Sequence, residues 1–474
     1  MSDMHLRLGD AAKWMKGAHT VGDASVCIER VHTDSRSVEV GDLFVALQGE
    51  RFDAHEFLQQ VSQSGASAAI VASGKANPNL ACIEVPDTRI GLGQLAKGWR
   101  SQFQMPVIAV TGSNGKTTVT QMLASILRCA FGDGALATLG NLNNDIGVPQ
   151  TVLRLRKSHR GAVIELGMNH PGEIAWLAEI SQPTVGLVNN AQREHQEFMA
   201  SVEAVALENG AVISALPADG VAVFPADDEY TPLWKKLAGE RACMTFSMLA
   251  QEQNTTNADV VLIHADWHED HWSVEVKTPQ GHLKFALHCA GRHNVSNALA
   301  ATSAALAAGI ALDKIAQGLA QFEPVKGRSR AYVVNVARRK INVVDDSYNA
   351  NPDSVKAAID LLSELPKPQI LVLGDMGEVG NLGPEFHSEV GLYAQQKGID
   401  SVLCLGELTS HAVNACGSHA QHFSDIDALN LHLIQVLPKM SSVLVKGSRF
   451  MKMERVLEAI TKQSEQQTQE PTPC

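Results

Sequence analysis

At 474 residues the chain is too long for one hydrophobic core, so two to four domains are expected. Its 45% hydrophobic and 19% charged residues make it globular rather than disordered. A net charge of −12 excludes a broad face for nucleic acid or an anionic membrane, and no apolar run reaches the roughly 20 residues that span a bilayer.

The first part, to about Thr88, alternates short strands and helices. "DLFVAL" reads as a strand, and "AHEFLQQVSQSGA" has helical spacing and stops at Gly65. "AAIVA" and "ACIEV" are further short apolar runs. A second part opens with the helix pattern "RIGLGQLAKGWRSQF". Strand-like runs ("PVIAV", "GALAT", "AVIEL", "TVGLV", "GVAVF") then alternate with helical ones, which implies a parallel sheet with crossovers. From about Asp259 to Cys289 the period changes to two, as in "HWSVEVKT" and "HLKFALHC" around "PQG", so an antiparallel element is expected beside that sheet. "HNVSNALAATSAALAAG" is a small-residue helix that stops at Gly309. Strand runs return in "AYVVNV", "INVVDD", "QILVLG", "SVLCLG" and "SVLVKG", a third unit of Rossmann-like size without G-x-G-x-x-G. The polar tail "TKQSEQQTQEPTPC" is expected to fray. No signal-peptide pattern opens the chain, and its eight cysteines include no C-x-x-C pair, so reduced thiols in a cytoplasm are expected.

One stretch carries recognisable chemistry. "TGSNGKTT", Thr111 to Thr118, lies where the strand "PVIAV" meets the helix pattern "TTVTQMLASILRCAF". Backbone N–H groups at a glycine loop and a helix N-terminus attract an anion. Gly112 and Gly115 permit backbone that a Cβ would hinder. Lys116 is placed to reach β- and γ-phosphates, and the Thr117 hydroxyl to ligate Mg²⁺. The loop departs from G-x-x-x-x-G-K-[ST], because Val110 stands five before Gly115.

"TGSNGKTT" resembles the ATP loop of the Mur ligases, which build the peptide stem of the bacterial cell-wall precursor; folylpolyglutamate synthetases share that ancestry. "TDSRSVEVGDLFVALQGERFDAHEF" is similar to the uridine-binding domain of the later Mur ligases. "ATLGNLNNDIGVPQTVL", "IELGMNHPGEI", "GRHNVSNALAA", "VVDDSYNANPDSV", "LGDMGEVG" and "VLVKGSRFMKME" are similar to the last ligase of the series. The resemblance implies an α/β fold of three domains. They are a small α/β uridine-binding domain over 1–88, a central parallel-sheet P-loop ATPase domain with an added antiparallel element over 89–324, and a C-terminal Rossmann-like domain over 325–474. It implies an ATP- and Mg²⁺-dependent amide ligase acting on a UDP-muramoyl tripeptide and D-alanyl-D-alanine, as a cytoplasmic monomer without nucleic-acid or membrane partners. The preceding ligase of the series is the nearest alternative; it usually carries a "DNPR"-like motif, where this chain reads "DDSYNANPDS". A non-catalytic ATP-binding relative is the other.

Carried over residue by residue, the resemblance assigns catalysis to Lys116, Glu165 and His195. The nucleotide falls to Thr111, Gly112, Ser113, Asn114, Gly115, Lys116, Thr117 and Thr118, with Asn294, Asn297, Arg328, Asp346, Tyr348 and Asn349. Metal falls to Thr117, Glu165 and His195. The acceptor falls to Thr138, Asn141, Asn143 and Asn144, with Ser35 and Arg36 toward uridine diphosphate and Lys446, Ser448 and Arg449 toward the closed cleft. The family usually has a carbamylated lysine where this chain has Asn209, and an amide cannot become a carbamate. The adjacent Glu208 is the candidate substitute metal ligand, with an ordinary helix residue as the alternative. His264, His268 and His271 in "HADWHEDHW" read as a polar loop, with a structural metal site as the minor alternative. Glu378 and His387 receive no role.

Overall fold

In a computed structural model, the described residues are 4–50, 52–194, 197–199, 201–249, 257–268 and 270–469. Besides a two-stranded antiparallel pair of Leu6–Arg7 with Cys27–Ile28, three larger sheets follow one another along the chain. The first has five strands in the order His19–Val21, Ala81–Val85, Ala68–Ala72, Asp42–Val45, Arg30–His32, all parallel except the outermost His19–Val21. That edge strand is three residues long, too short to leave a periodic signal.

The helix Thr88–Arg100 joins this unit to the next. Asp87 caps it, accepting from the N–H groups of Arg89 (2.8 Å) and Ile90 (3.0 Å). Its glycines mark close packing on both sides: a Cβ at Gly98 would strike the Trp14 ring, and one at Gly93 would lie 2.6 Å from Trp176. Buried Arg100 donates to the carbonyls of Ser181 (3.0 Å) and Gln182 (3.1 Å).

The central sheet has nine strands: Gly281–Leu287, Trp272–Thr278, Val260–Trp267, Ala242–Ser247, Val221–Pro225, Val185–Val188, Val107–Thr111, Gly161–Glu165, Ala135–Ala137. The expected antiparallel element is real, but it forms no separate sheet. Val260–Trp267 pairs in parallel with Ala242–Ser247 and antiparallel with Trp272–Thr278, so it extends the parallel sheet at its edge. The third sheet runs Arg330–Val336, Arg339–Asp346, Ser442–Lys446, Gln369–Gly374, Ser401–Leu405, Ala420–Phe423, antiparallel only at its first pair. The last strand, "AQHF", is half polar and exposed, which is why its sequence does not announce it.

The cores divide unevenly. One apolar cluster runs without a break from Met4 through Leu92 and Leu95 to Trp234 and Ala238, so the first two units share a core. The third sheet has apolar clusters of its own on its two faces, to which the central unit contributes Ala290. The seven described cysteines are free thiols, and no helix among the described residues is long and apolar enough to cross a membrane.

Trp234 is the largest fully buried side chain; its Nε1–H donates to the Ala206 carbonyl at 2.9 Å, and its ring lies 6.2 Å from Phe224. Trp234→Ala is expected to cost about 3–5 kcal/mol, read as a lowered urea midpoint of the central unit. A loss below about 1 kcal/mol would mean that this core is not closed as described.

Candidate nucleotide and ligation site

Ligands of an open α/β sheet bind beyond the C-terminal strand ends, where the strand order reverses. Here that place is the end of Val107–Thr111, between Gly161–Glu165 and Val185–Val188, with Val110 level with both Glu165 and Leu187. The chain leaves Thr111, turns through Gly112, Ser113, Asn114 and Gly115, and enters the helix Lys116–Phe131. Gly112 and Gly115 have φ of +129° and +81°, in the region that side chains disfavour.

Amide side chains hold the loop from outside. Gly112 N–H donates to Asn209 Oδ1 at 2.9 Å, and Asn114 N–H to Asn190 Oδ1 at 2.9 Å. Asn189 Nδ2 bridges Asn114 O (2.8 Å) and Asn297 Oδ1 (2.9 Å), and Asn297 Nδ2 donates to Asn294 Oδ1 at 2.9 Å. A Cβ at Gly115 would collide with Asn297 and Asn189, so glycine is needed there for space as well as for φ. Ser113 Oγ donates to Gln192 O at 3.1 Å. Thr118 follows in the helix's first turn.

Lys116 Nζ folds back onto the carbonyls of Gly112 (2.6 Å) and Ser113 (3.2 Å) and pairs with Glu194. Across the loop, Glu165 is 1% exposed. Its Oε1 accepts from Thr117 Oγ1 (3.0 Å) and Asn143 Nδ2 (2.8 Å), while its Oε2 is buried without a hydrogen-bond partner. A buried carboxylate with an open oxygen beside a hydroxyl is a donor set that a divalent cation completes.

The third unit closes over this loop. Asn351 Nδ2 donates to Asn114 Oδ1 at 2.9 Å. Arg193 places its guanidinium on Asp353 (2.5 Å) and Glu389 (2.7 Å) and over the Phe386 ring. Its N–H also donates to Asp353 Oδ2 at 3.0 Å. The hydrogen bond from Arg193, joined by Lys356, holds the Glu389 carboxyl down at about 2. The Arg328 guanidinium lies 4.3 Å from the centre of the Tyr348 ring. Burial alone would raise the Asp346 carboxyl, but Lys446, 2.6 Å away, outweighs it and leaves that carboxyl below its usual range. Burial also keeps His293 neutral to lower pH than usual.

Between these parts lies a cavity of about 1110 Å³, wide enough for a nucleotide and a second substrate together. Ser113 through Thr118, Asn141, Asn143, Asn144, Glu165, Asn294, Asn297, Arg328, Asp346, Tyr348, Asn349 and Lys446 line it. Other expected residues fall elsewhere. Thr138 is 1% exposed, and its hydroxyl accepts from the Glu165 N–H at 2.9 Å, so it positions Glu165 rather than meeting a ligand. Ser448 is buried, accepting from the Gly377 N–H at 2.6 Å, and Arg449 pairs with Glu454 at 2.8 Å; neither lines the cavity. Ser35 and Arg36 lie outside it, and Arg36 pairs with Asp34 at 2.7 Å on the surface. Glu208 also stays out of the cavity. Its two oxygens accept from Gly172 N–H and Ile174 N–H, both at 2.8 Å, which caps the helix Glu173–Ser181. That is a helix-cap role in place of the expected metal ligation. His195 lies outside the described residues.

The amides Asn189, Asn190 and Gln192, the acid Glu194 and the clamp Arg193–Asp353–Glu389 are not among the residues the sequence singles out. A signal for the first group was present: "NNAQRE" directly follows the strand "TVGLV", and C-terminal strand ends are where such sheets carry ligand groups. The clamp had none, since its partners stand 160 and 196 residues apart.

Comparison with known proteins follows the same division. The profile of the Mur ligase middle domain matches residues 110–305, and that of the Mur ligase, glutamate ligase domain matches residues 329–449. The UDP-N-acetylmuramoyl-tripeptide–D-alanyl-D-alanine ligase of Escherichia coli K12 is 41% identical over 92% of this chain and 94% of its own. A crystal structure of MurF from Acinetobacter baumannii superposes with a TM-score of 0.89 at 34% identity, covering 98% of this chain and all of that one. MurF ligase from Thermotoga maritima, in complex with ADP, gives a TM-score of 0.81 at 27% identity over 92% of this chain and 98% of its own.

Arg193→Ala is expected to release the third unit, read as a larger radius of gyration in small-angle scattering; an unchanged radius would discount the clamp. The Glu389 carboxyl is depressed from its ordinary 4.5 to about 2. The clamp's contribution is therefore complete above about 4.5 and fades as pH falls toward about 2. Glu389→Gln is expected to flatten that acid dependence.

Proposed function

The chain belongs to the Mur ligase family, and from that premise we infer that it is the ATP-dependent ligase that joins D-alanyl-D-alanine to UDP-N-acetylmuramoyl-tripeptide, the step that completes the pentapeptide precursor of peptidoglycan. The observation that carries the reading to this chain's own residues is the pairing of the Lys116 loop with the open oxygen of Glu165, inside a cavity roofed by the third unit. On this reading residues 1–88 receive the uridine end of the acceptor, 89–324 hold ATP, and 325–474 close the site, in a monomer acting in the cytoplasm.

The reaction makes an amide at the expense of ATP. The acceptor carboxylate attacks the γ-phosphorus, ADP leaves, and an acyl phosphate forms. The amine of the dipeptide attacks the acyl carbon and loses a proton, and phosphate leaves. The first step brings two anions together, so positive charge must stand between them. Lys116 supplies it by exchanging its Glu194 partner for phosphate oxygens, and the N–H groups of the loop and the helix start add partial charge. Thr117 and Glu165 have the donors and the open oxygen to hold Mg²⁺, joined in our proposal by His195. When bound, Mg²⁺ neutralises phosphate charge. Asn294, Asn297, Arg328, Asp346, Tyr348 and Asn349 take the nucleotide from the two sides of the cleft, and Asn141, Asn143 and Asn144 face the acceptor. Asn351 and Arg193 keep the third unit down, which excludes water from the acyl phosphate.

Asn209 receives a positioning role. Its side-chain oxygen holds the Gly112 N–H, and its backbone carbonyl accepts from Thr111 Oγ1 at 3.3 Å, so it anchors the start of the phosphate loop.

Phosphate release with UDP-muramoyl tripeptide, ATP and Mg²⁺ is expected only when D-alanyl-D-alanine is present, with the pentapeptide found by mass. Turnover of a UDP-muramoyl dipeptide with a free diamino acid would instead assign the preceding ligase. Lys116→Ala is expected to lower kcat on the order of 10²–10³-fold. Because Asn209 cannot form a carbamate, turnover is expected to ignore bicarbonate added to CO₂-depleted buffer, and stimulation by bicarbonate would place a carbamate elsewhere in the site.

A further inference from the structure

The outer end of the antiparallel element gathers histidines from two separate places in the chain. Trp267 and Trp272 close the turn between two strands, with ring centroids 5.3 Å apart, and His268 N–H donates to His271 O at 2.8 Å. Within that turn, His271 Nδ1 lies 2.8 Å from Asp270 Oδ1. His288, just past the end of the strand Gly281–Leu287, brings its Nδ1 to 3.9 Å from Asp270 Oδ2. One ligand atom from each of Asp270, His271 and His288 lies within 4.8 Å of the others. The rings of His268 and His288 flank His271 at centroid distances of 5.1 and 5.2 Å.

We propose that Asp270, His271 and His288, with His268 beside them, form a binding site for a first-row transition-metal dication of the zinc class, separate from the nucleotide cavity. Imidazole nitrogens with one carboxylate oxygen suit zinc better than Mg²⁺, which prefers oxygen donors. The spacing agrees with one central ion: two imidazoles on a tetrahedral zinc, with Zn–N of about 2.0–2.1 Å, set their ring centroids about 5 Å apart. These groups are partly or fully exposed, so an ion can reach them. The tryptophan pair and the His268–His271 backbone bond join the two ends of the strands beside them.

The site has a structural consequence. His288 stands four residues before the helix Arg292–Ala307, which carries Asn294 and Asn297 into the nucleotide cavity. An ion shared by Asp270, His271 and His288 ties the far end of the hairpin to the segment that leads into that helix. Cys289, next to His288, stays out of the set: it is 2% exposed, and burial raises its thiol far above the usual range.

The test uses the full chain without an affinity tag, stripped with EDTA and titrated with ZnCl₂, CoCl₂ or MgCl₂ by calorimetry and visible absorption. One Zn²⁺ per chain and the intense visible bands of tetrahedral Co²⁺ are expected, with no matching Mg²⁺ isotherm. His271→Ala and His288→Ala are each expected to weaken Zn²⁺ at least tenfold. Stripped of zinc, freed of EDTA and returned to Mg²⁺ buffer, both variants should keep the parent's melting temperature and phosphate-release rate, and Zn²⁺ should raise the melting temperature of the parent alone. His288→Gln, which keeps polarity and most of the bulk, covers the case in which alanine at that position disturbs the fold. Zn²⁺ binding that persists unchanged when His271→Ala and His288→Ala are combined in one chain, or a weak octahedral cobalt spectrum, overturns the proposal.

Discussion

A four-residue loop that turns twice through left-handed backbone cannot hold its shape alone, and the hydrogen bonds that brace it are what the rest of this molecule serves. Asn209, Asn190 and Asn189 reach the loop from the segment beyond the adjacent strand and the helix that follows it, and Asn297 reaches it through Asn189. Each is an amide, able to donate and accept at fixed geometry without carrying charge. Carboxylates at these positions would compete with the phosphates for the loop's N–H groups. Neutral amides leave the positive field of Lys116 and the helix start available to the nucleotide.

The three units are joined by two different kinds of contact. The first and second share one apolar core through the helix Thr88–Arg100, with Trp14 packed against Gly98 and Trp176 against Gly93. Separating them would expose that core to water. The third unit meets the second through Asn351–Asn114, Arg193–Asp353 and Arg193–Glu389, with Ala290 as a small apolar contact. Polar contacts of this kind can be exchanged for water at modest cost, so this junction is the one suited to opening and closing. The division matches the chemistry: substrates must enter and leave, yet the acyl phosphate must be kept dry while it exists.

The helix that carries Glu208 and Asn209 gives both side chains structural partners. Glu208 is tied to the N-terminus of Glu173–Ser181, where helix dipole and open N–H groups both favour a carboxylate. Asn209 itself turns inward to the loop. The position serves as a neutral brace, and Glu165 turns an open carboxylate oxygen into the described site.

What the sequence by itself determined was whatever depends on neighbours along the chain. Alternating apolar runs and helical patterns marked the parallel sheets, the change to period two marked the antiparallel strands, and "GSNGKTT" after a strand marked the phosphate loop, because strand, turn and helix start are contiguous there. Glu165 was legible for the same reason, as the last residue of a buried strand. Only the tertiary structure decided which polar side chains face the cavity. Thr138 and Ser448 read as ligand groups but are spent on backbone partners inside the fold. Arg193 spans two units, and His288 lies beside Asp270 and His271 across a strand pair. A side chain's partner is set by how distant segments pack, and a hydroxyl or an arginine carries no mark in the chain of what will stand opposite it.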